Sequence, residues 1–441
     1  MAEAFFAWRR IIFGRPLANF FGICYKKDGR RRKAVPTFRK KGSFRKAKAM
    51  VIHMHTCLIR NAQIYNAVTR GFFEGSVLVR DGRIAVLYRQ GASDVPTDVP
   101  VYDAEGKRLI PGLVDVHTHG RAGGDFGTAD AALLSEMAKS YLDSGVTTVL
   151  PTLASAPLSE LEAAIDRLNA LRAEAAASEG GMAHVAGVHL EGRYLNVKRR
   201  GAHAADLLVA PNARELEGLI RRIDGACHVT AALELDESDE FLQRALSLGA
   251  TVALGHTDAS FDKAEALLAK GVTALTHTFN AMPPLHHRDG GVVAAGLLSD
   301  TAHCEMICDG YHIAPHMVKL AYRLAGDRLT LITDSMEATG CPDGEYRIAG
   351  NPVTVKDGKA KTHDGAIAGS TLSMWEAVGN LRAFAGATLG DAIYAATMAP
   401  AKEAGLADTV GSIEVGKRAD LLILNADDTI GSIMCGGHWH A

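Results

Sequence analysis

Histidines and carboxylates recur in this chain at the ends of short apolar runs. One run leads into Asp115-Val116-His117-Thr118-His119, a second into His189-Leu190-Glu191, others into Gly255-His256, Thr276-His277 and Thr333-Asp334. Alternate residues of a strand face the same way, so His117 and His119 can reach one ion together. Imidazole and carboxylate are ligand types that zinc prefers, with one position left open for water when the site is catalytic. Coordination takes the pKa of water from ~15.7 towards ~7. An aspartate beside that water can take its proton and pass it to a leaving amine. Alone, Glu191 reads as a solvated carboxylate at a strand-to-loop junction, and one histidine at a strand end means little. A His-x-His followed by Glu, His, His and Asp at the same end of successive runs points to a metal-dependent hydrolase.

The elements that must place these groups alternate. Strand-like runs lie at residues 113–117, 147–150, 185–189, 228–233, 251–255, 273–276, 302–307 and 329–333. Amphipathic helical stretches, such as 131–142, 158–177, 213–223 and 241–248, lie between most of them. Strands alternating with helices in this number predict an α/β fold of the TIM type, a (β/α)8 barrel, whose chemistry sits at the C-terminal strand ends. Two further helices are expected at 372–384 and 389–397. Residues 56–101 read as short strands and tight turns, with Asp81-Gly82 a hairpin signal, and residues 411–424 have the same character. The two ends predict one small β-sandwich, residues 51–111 with 405–435, around a barrel of residues 112–404. The tail Cys435-Gly436-Gly437-His438-Trp439-His440 is expected to be disordered.

Composition sets the class. The chain has 441 residues, 47% hydrophobic and 22% charged, ordinary for a soluble globular protein with a sizeable core. Seven cysteines form no CxxC pair, which predicts reduced thiols and a cytoplasmic location; Cys304 and Cys308 read as core packing. No run is long and apolar enough to span a membrane. The net charge of −2 hides an asymmetry: residues 1–50 hold 15 Lys and Arg against 2 Asp and Glu. A basic arm on an acidic body suggests nucleic-acid or membrane binding. The favoured reading is a start codon placed too early, with Met50 or Met54 the true start, the segment disordered or ill-packed, and neither kind of partner bound.

The order of motifs resembles the amidohydrolase superfamily, and within it the N-acetylglucosamine-6-phosphate deacetylases. The resemblance runs over roughly residues 56–425. It rests on His189-Leu190-Glu191-Gly192, Gly201-Ala202-His203, Gly255-His256-Thr257, His277-Thr278-Phe279-Asn280-Ala281-Met282, Pro284-Leu285-His286-His287-Arg288, Asp309-Gly310-Tyr311-His312 and Thr333-Asp334-Ser335-Met336-Glu337. The resemblance implies that Glu191, His256 and His277 are the main ligands of a divalent ion, zinc foremost, with iron or another divalent ion as alternatives. It makes Asp334 the general base and then the acid. His312, with Asp309 in the same motif, would polarise the acetamide carbonyl and contact the sugar. Ala202, His203, Asn280, Ala281 and the loop Ile367-Ala368-Gly369 would hold an amino-sugar phosphate. Arg288 would bind the 6-phosphate from a neighbouring subunit, implying a homodimer. With His117 and His119 present, a second ion bridged by Glu191 is part of the expectation.

The chain departs from the family pattern at Arg193 and Gly290, where proline is usual, and in Val229–Glu234, which lacks the usual proline before its glutamate. These changes touch loop shape and sugar preference more than ligands. N-acetylgalactosamine 6-phosphate is the nearest rival substrate. An amidohydrolase of cyclic amides or N-acyl amino acids would not need Arg288. A non-catalytic barrel would be expected to lose ligands, and Glu191, His256, His277 and Asp334 all remain.

Overall fold

The structure, a computed structural model, describes residues 56–363 and 365–440. The basic segment 1–50 therefore lies outside the described residues. Eight parallel strands form the centre: Leu113–Thr118, Val146–Leu153, Gly187–Glu191, Ala226–Ala231, Thr251–Leu254, Ala274–Leu275, His303–Ile307 and Leu329–Ile332. Each pairs with the next in chain order. The eighth returns to the first just beyond its end, where the Asp334 amide donates to the His117 carbonyl at 2.9 Å and the Thr333 hydroxyl to Asp115 at 2.6 Å. The result is a nearly closed barrel. Its strands are covered on both faces, which is why they read as continuous apolar runs; every residue of Val146–Leu153 is buried.

The outer helices follow from periodicity. Leu158–Ala177 buries Leu161, Ala164, Ile165, Leu168, Leu171 and Ala175, a stripe at three- and four-residue spacing. Met374–Ala385 starts at a reciprocal Ser373–Glu376 capping box and stops at Gly386, whose φ of 75° ends the helix.

Both terminal segments share one eight-stranded sheet. Arg108–Pro111 pairs antiparallel with Leu421–Leu424, and Ile59, Ile64, Val77, Leu109, Leu421, Ile423 and Met434 form a core of its own. Asp81 and Gly82, both at positive φ, make the tight turn between Phe72–Arg80 and Arg83–Arg89.

Two features differ from expectation. The tail is ordered: Cys435 pairs with His438 and Met434 with Trp439, and the Trp439 ring stacks on Tyr102 at 4.3 Å. Gly436 and Gly437 take positive φ and close a two-residue hairpin, so the tail expected to be disordered instead makes a tight turn. A three-stranded antiparallel sheet, Gly344–Ile348, Asn351–Lys356 and Lys359–Thr362, also intervenes after the eighth barrel strand. It packs Ile348, Val353, Val355 and Ala360 against Met336 and Ala368, beside the barrel's C-terminal end.

Two histidines far from that end tie stability to pH. Burial, then nearby Arg418, lowers His184 from 6.5 to about 4, and burial, then Lys402, does the same for His303. The unfolded chain takes up these protons near 6.5 and the fold refuses them until near 4, so stability falls as pH drops through that window. Each histidine accounts for up to about 3 kcal/mol. Urea midpoints measured from pH 7 to 4 should fall, and His184→Gln should flatten the slope; an unchanged slope would refute the assignment.

Candidate metal centre and active site

The barrel gathers its polar groups around one carboxylate. Glu191, at the end of the third strand, is almost wholly buried. Its Oε1 lies 3.2 Å from His256 Nε2, 3.1 Å from His277 Nε2 and 3.5 Å from His117 Nε2. Its Oε2 lies 2.9 Å from His119 Nε2. Asp334 Oδ1 stands 3.4 Å from His119 Nε2 and 3.7 Å from His117 Nε2. Two ligand sets result, Glu191 with His256 and His277, and His117 with His119 and Asp334. Glu191 touches both. His256, His277 and Asp334 sit at φ of 47°, 29° and 47°, conformations that non-glycine residues seldom adopt and that cluster at functional sites.

The partners of each ring decide what its inward nitrogen can do. His117 Nδ1 and the His277 amide both donate to Glu305 Oε2, at 2.8 and 2.9 Å. His256 Nδ1 donates to the Arg199 carbonyl at 2.8 Å. In its neutral form each ring then turns an Nε2 lone pair inward, as a metal ligand must. His203 is set the opposite way. Its Nδ1 receives the Ser155 amide at 3.3 Å and the Ser155 hydroxyl at 2.9 Å, and that hydroxyl oxygen accepts from the Arg193 amide. With Nδ1 an acceptor, Nε2 carries the proton, so His203 faces the cavity as a hydrogen-bond donor rather than a ligand.

Charge follows geometry. Burial opposes ionisation of Glu191, but His117, His119 and His256 outweigh it and hold the carboxyl well below its usual range. Burial likewise opposes protonation of His117, yet the Glu191 and Glu305 carboxylates raise its pKa well above the ordinary value. Burial, then neighbouring His256, lowers His203 to about 3, keeping it neutral. His256 Nε2 and His277 Nε2 are 3.1 Å apart beside one carboxylate oxygen, a convergence of buried donors that a divalent cation fits.

A cavity opens over this floor. His119, Glu191, His256, His277 and Asp334 reach it, with Ala202, His203, Asn280, Ala281, His312 and the loop Ile367, Ala368 and Gly369 on its walls. Asp309 stays off the lining and holds His312: its Oδ2 lies 2.6 Å from His312 Nδ1, while its Oδ1 accepts the Tyr311 and His312 amides. Arg288 is exposed and outside the lining, 2.8 Å from His287. Sequence reasoning missed Glu305 and Ser155, and also Ile348 and Ala349, which the unforeseen three-stranded sheet brings to the cavity. At Arg193, proline could supply neither the φ of 66° nor the amide that orients Ser155.

A (β/α)8 barrel with a buried carboxylate shared between two imidazole sets at its C-terminal end is the framework of a metal-binding hydrolase. Residues 108–439 match the amidohydrolase family, and the chain belongs to it. It is 36% identical to N-acetylglucosamine-6-phosphate deacetylase of Vibrio furnissii over 73% of this chain and 80% of that protein. It is 35% identical to N-acetylgalactosamine-6-phosphate deacetylase of Escherichia coli O157:H7 over 79% of this chain and 90% of that protein. The crystal structure of N-acetylglucosamine-6-phosphate deacetylase from Pasteurella multocida superposes with a TM-score of 0.80 at 29% identity, covering 88% of this chain and all of that one. The site is that of a hydrolase of the deacetylase kind within this family.

Proposed function

We propose that this chain hydrolyses N-acetyl-D-glucosamine 6-phosphate to D-glucosamine 6-phosphate and acetate. The observation that carries the reading is the convergence of His117, His119, His256 and His277 on Glu191, with Asp334 beside His117 and His119, at the floor of a cavity walled by His203 and His312. Glu191, His256 and His277 hold the main divalent ion, with zinc the identity that suits imidazole and carboxylate, and His117 and His119 hold a second. When bound, such an ion acidifies water and polarises a carbonyl. Asp334 takes the proton of the attacking water and delivers it to the departing amine. His312, kept in place by Asp309, points at the acetamide oxygen. His203 donates from Nε2, and Asn280, Ala281 and the 367–369 loop hold the sugar. The reading gives the chemistry to residues 112–404, and the free state of the six described cysteines suits a cytoplasmic enzyme.

The phosphate requires a cation, and arginine offers paired hydrogen bonds to its oxygens. Arg288 is exposed and off its own cavity, which suits an arginine that enters the site of a second copy in a homodimer. Arg288→Ala should raise KM for the phosphorylated substrate roughly 30–100-fold, the loss of about 2–3 kcal/mol of charge-assisted bonding. It should leave an unphosphorylated N-acetyl sugar little changed. Equal effects on both substrates would remove Arg288 from the phosphate site.

The whole reading is tested by acetate release from N-acetylglucosamine 6-phosphate, before and after chelation, on protein of known metal content. Turnover lost on chelation and restored by a divalent ion is the expected result. A folded, metal-loaded sample without turnover would overturn the substrate. The galactose epimer belongs in the same assay, because the relative that acts on it is about as similar as the one that acts on the glucose form.

A further inference from the structure

On the far side of Glu305 from His117, inside the barrel, lies another group of ligand atoms. His228 comes from the fourth strand, Glu305 from the seventh, and Glu403 from the short helix Met398–Glu403. Their side chains are essentially inaccessible to solvent, at 0%, 0% and 1% exposure. His228 Nε2 stands 3.7 Å from Glu305 Oε1 and 3.8 Å from Glu403 Oε1, and one ligand atom from each of the three falls within 4.8 Å of the others.

His228 Nε2, Glu305 Oε1 and both carboxylate oxygens of Glu403 are buried without a hydrogen-bond partner. The opposite ends of the same groups are occupied. His228 Nδ1 is fixed by the Thr251 hydroxyl at 2.7 Å, which aims Nε2 at the carboxylates. Glu305 Oε2 is taken by His117 and the His277 amide. Among the described residues, no lysine or arginine pairs with Glu305 or Glu403. Lys402, the nearest in sequence, turns to the Tyr394 hydroxyl.

We propose that His228, Glu305 and Glu403 form a further, deeply buried site for a divalent transition ion, zinc foremost. Two carboxylates that share a buried space repel. A divalent ion cancels both charges and satisfies the nitrogen and the oxygens together. A tetrahedral ion with bonds of ~2.1 Å needs ligand atoms ~3.4 Å apart, so the 3.7 and 3.8 Å separations from His228 Nε2 require closure of only a few tenths of an ångström. The donor set, one imidazole and two carboxylates without thiolate, suits zinc, manganese or iron. Glu305 would then face an ion with one oxygen and orient His117 with the other. The deep site thus supports the ring that reaches the Glu191 centre. The inference rests on these three residues and is independent of the substrate assigned above.

The test is anomalous diffraction above and below the zinc edge on crystals of the zinc-loaded full chain, with metal analysis of the same protein. A peak between His228 Nε2, Glu305 Oε1 and Glu403 is expected, separate from any peak at Glu191. Glu403→Gln should lose that peak and one zinc equivalent per chain while the Glu191 peak stays. A map with density at Glu191 and none at the cluster would overturn the proposal, as would unchanged metal content in a folded Glu403→Gln protein. If that variant does not fold, the wild-type map alone decides.

Discussion

Glu191→Gln should empty the centre and abolish turnover. Among the described residues, the carboxylate is the one group within 3.5 Å of all four inward imidazole nitrogens, and its two oxygens address different histidines. Glutamine keeps the shape but replaces one oxygen by an amide that carries protons and cannot ligate. It also removes the negative charge that both ligand sets share. The expected result is loss of the bound divalent ions and a fall in kcat/KM of at least about 10³-fold, since the chemistry supplied by such ions is worth several kcal/mol. Glu305→Gln is the informative contrast. It leaves Glu191 intact and loosens the orientation of His117 and the hold on the His277 amide, and on the inference above it also empties the His228, Glu305 and Glu403 site; outer partners of metal-ligating histidines are worth roughly 10–100-fold in affinity. Metal content per chain and acetate release should separate the two variants clearly. A Glu191→Gln protein that kept its full metal content would show that Glu191 does not bridge.

The difference between these variants also marks how far the sequence could be read. The barrel was legible because its physics is local: the strands are buried on both faces and appear as apolar runs, and helices such as Leu158–Ala177 keep one buried stripe. The groups gathered at Glu191 were legible because metal chemistry restricts them to a few residue types, each at a strand end. Glu305 carries no such mark. It lies mid-strand in His303–Ile307, and only the closure of the barrel brings it to His117. Ser155 likewise gains meaning only when the loop bearing His203 folds back onto it. The Gly344–Thr362 sheet was passed over because its strands are short and bury only one or two apolar residues each, although Val353–Lys356 alternates buried and exposed and Ala349-Gly350 and Asp357-Gly358 make its turns. The ordered tail was hidden by its glycines for a related reason: glycine marks both loose chain and tight hairpins, and Trp439 finds Tyr102 only in three dimensions.

Asp334→Asn should separate proton transfer from metal binding. The backbone fixes this side chain closely. The Asp334 amide donates to the His117 carbonyl, and its own carbonyl accepts from the Ser370 amide at 2.8 Å. Its carboxylate therefore stays 3.4 Å from His119 Nε2, on the lining of the cavity. Asparagine preserves size and position but cannot accept a proton from water or return it to the amine. In the role of base and acid, the substitution should lower kcat by about 10²–10⁴-fold with KM little changed, because it removes an interaction made in the transition state and not in the ground state. The ion held by Glu191, His256 and His277 should remain, since none of those ligands is altered. Kinetics and metal analysis on one sample decide between two uses of the same carboxylate. A large loss of kcat at constant metal content makes Asp334 the proton carrier. Loss of an ion in step with the rate would make it first a ligand of the His117 and His119 set, and near-normal kcat would exclude both.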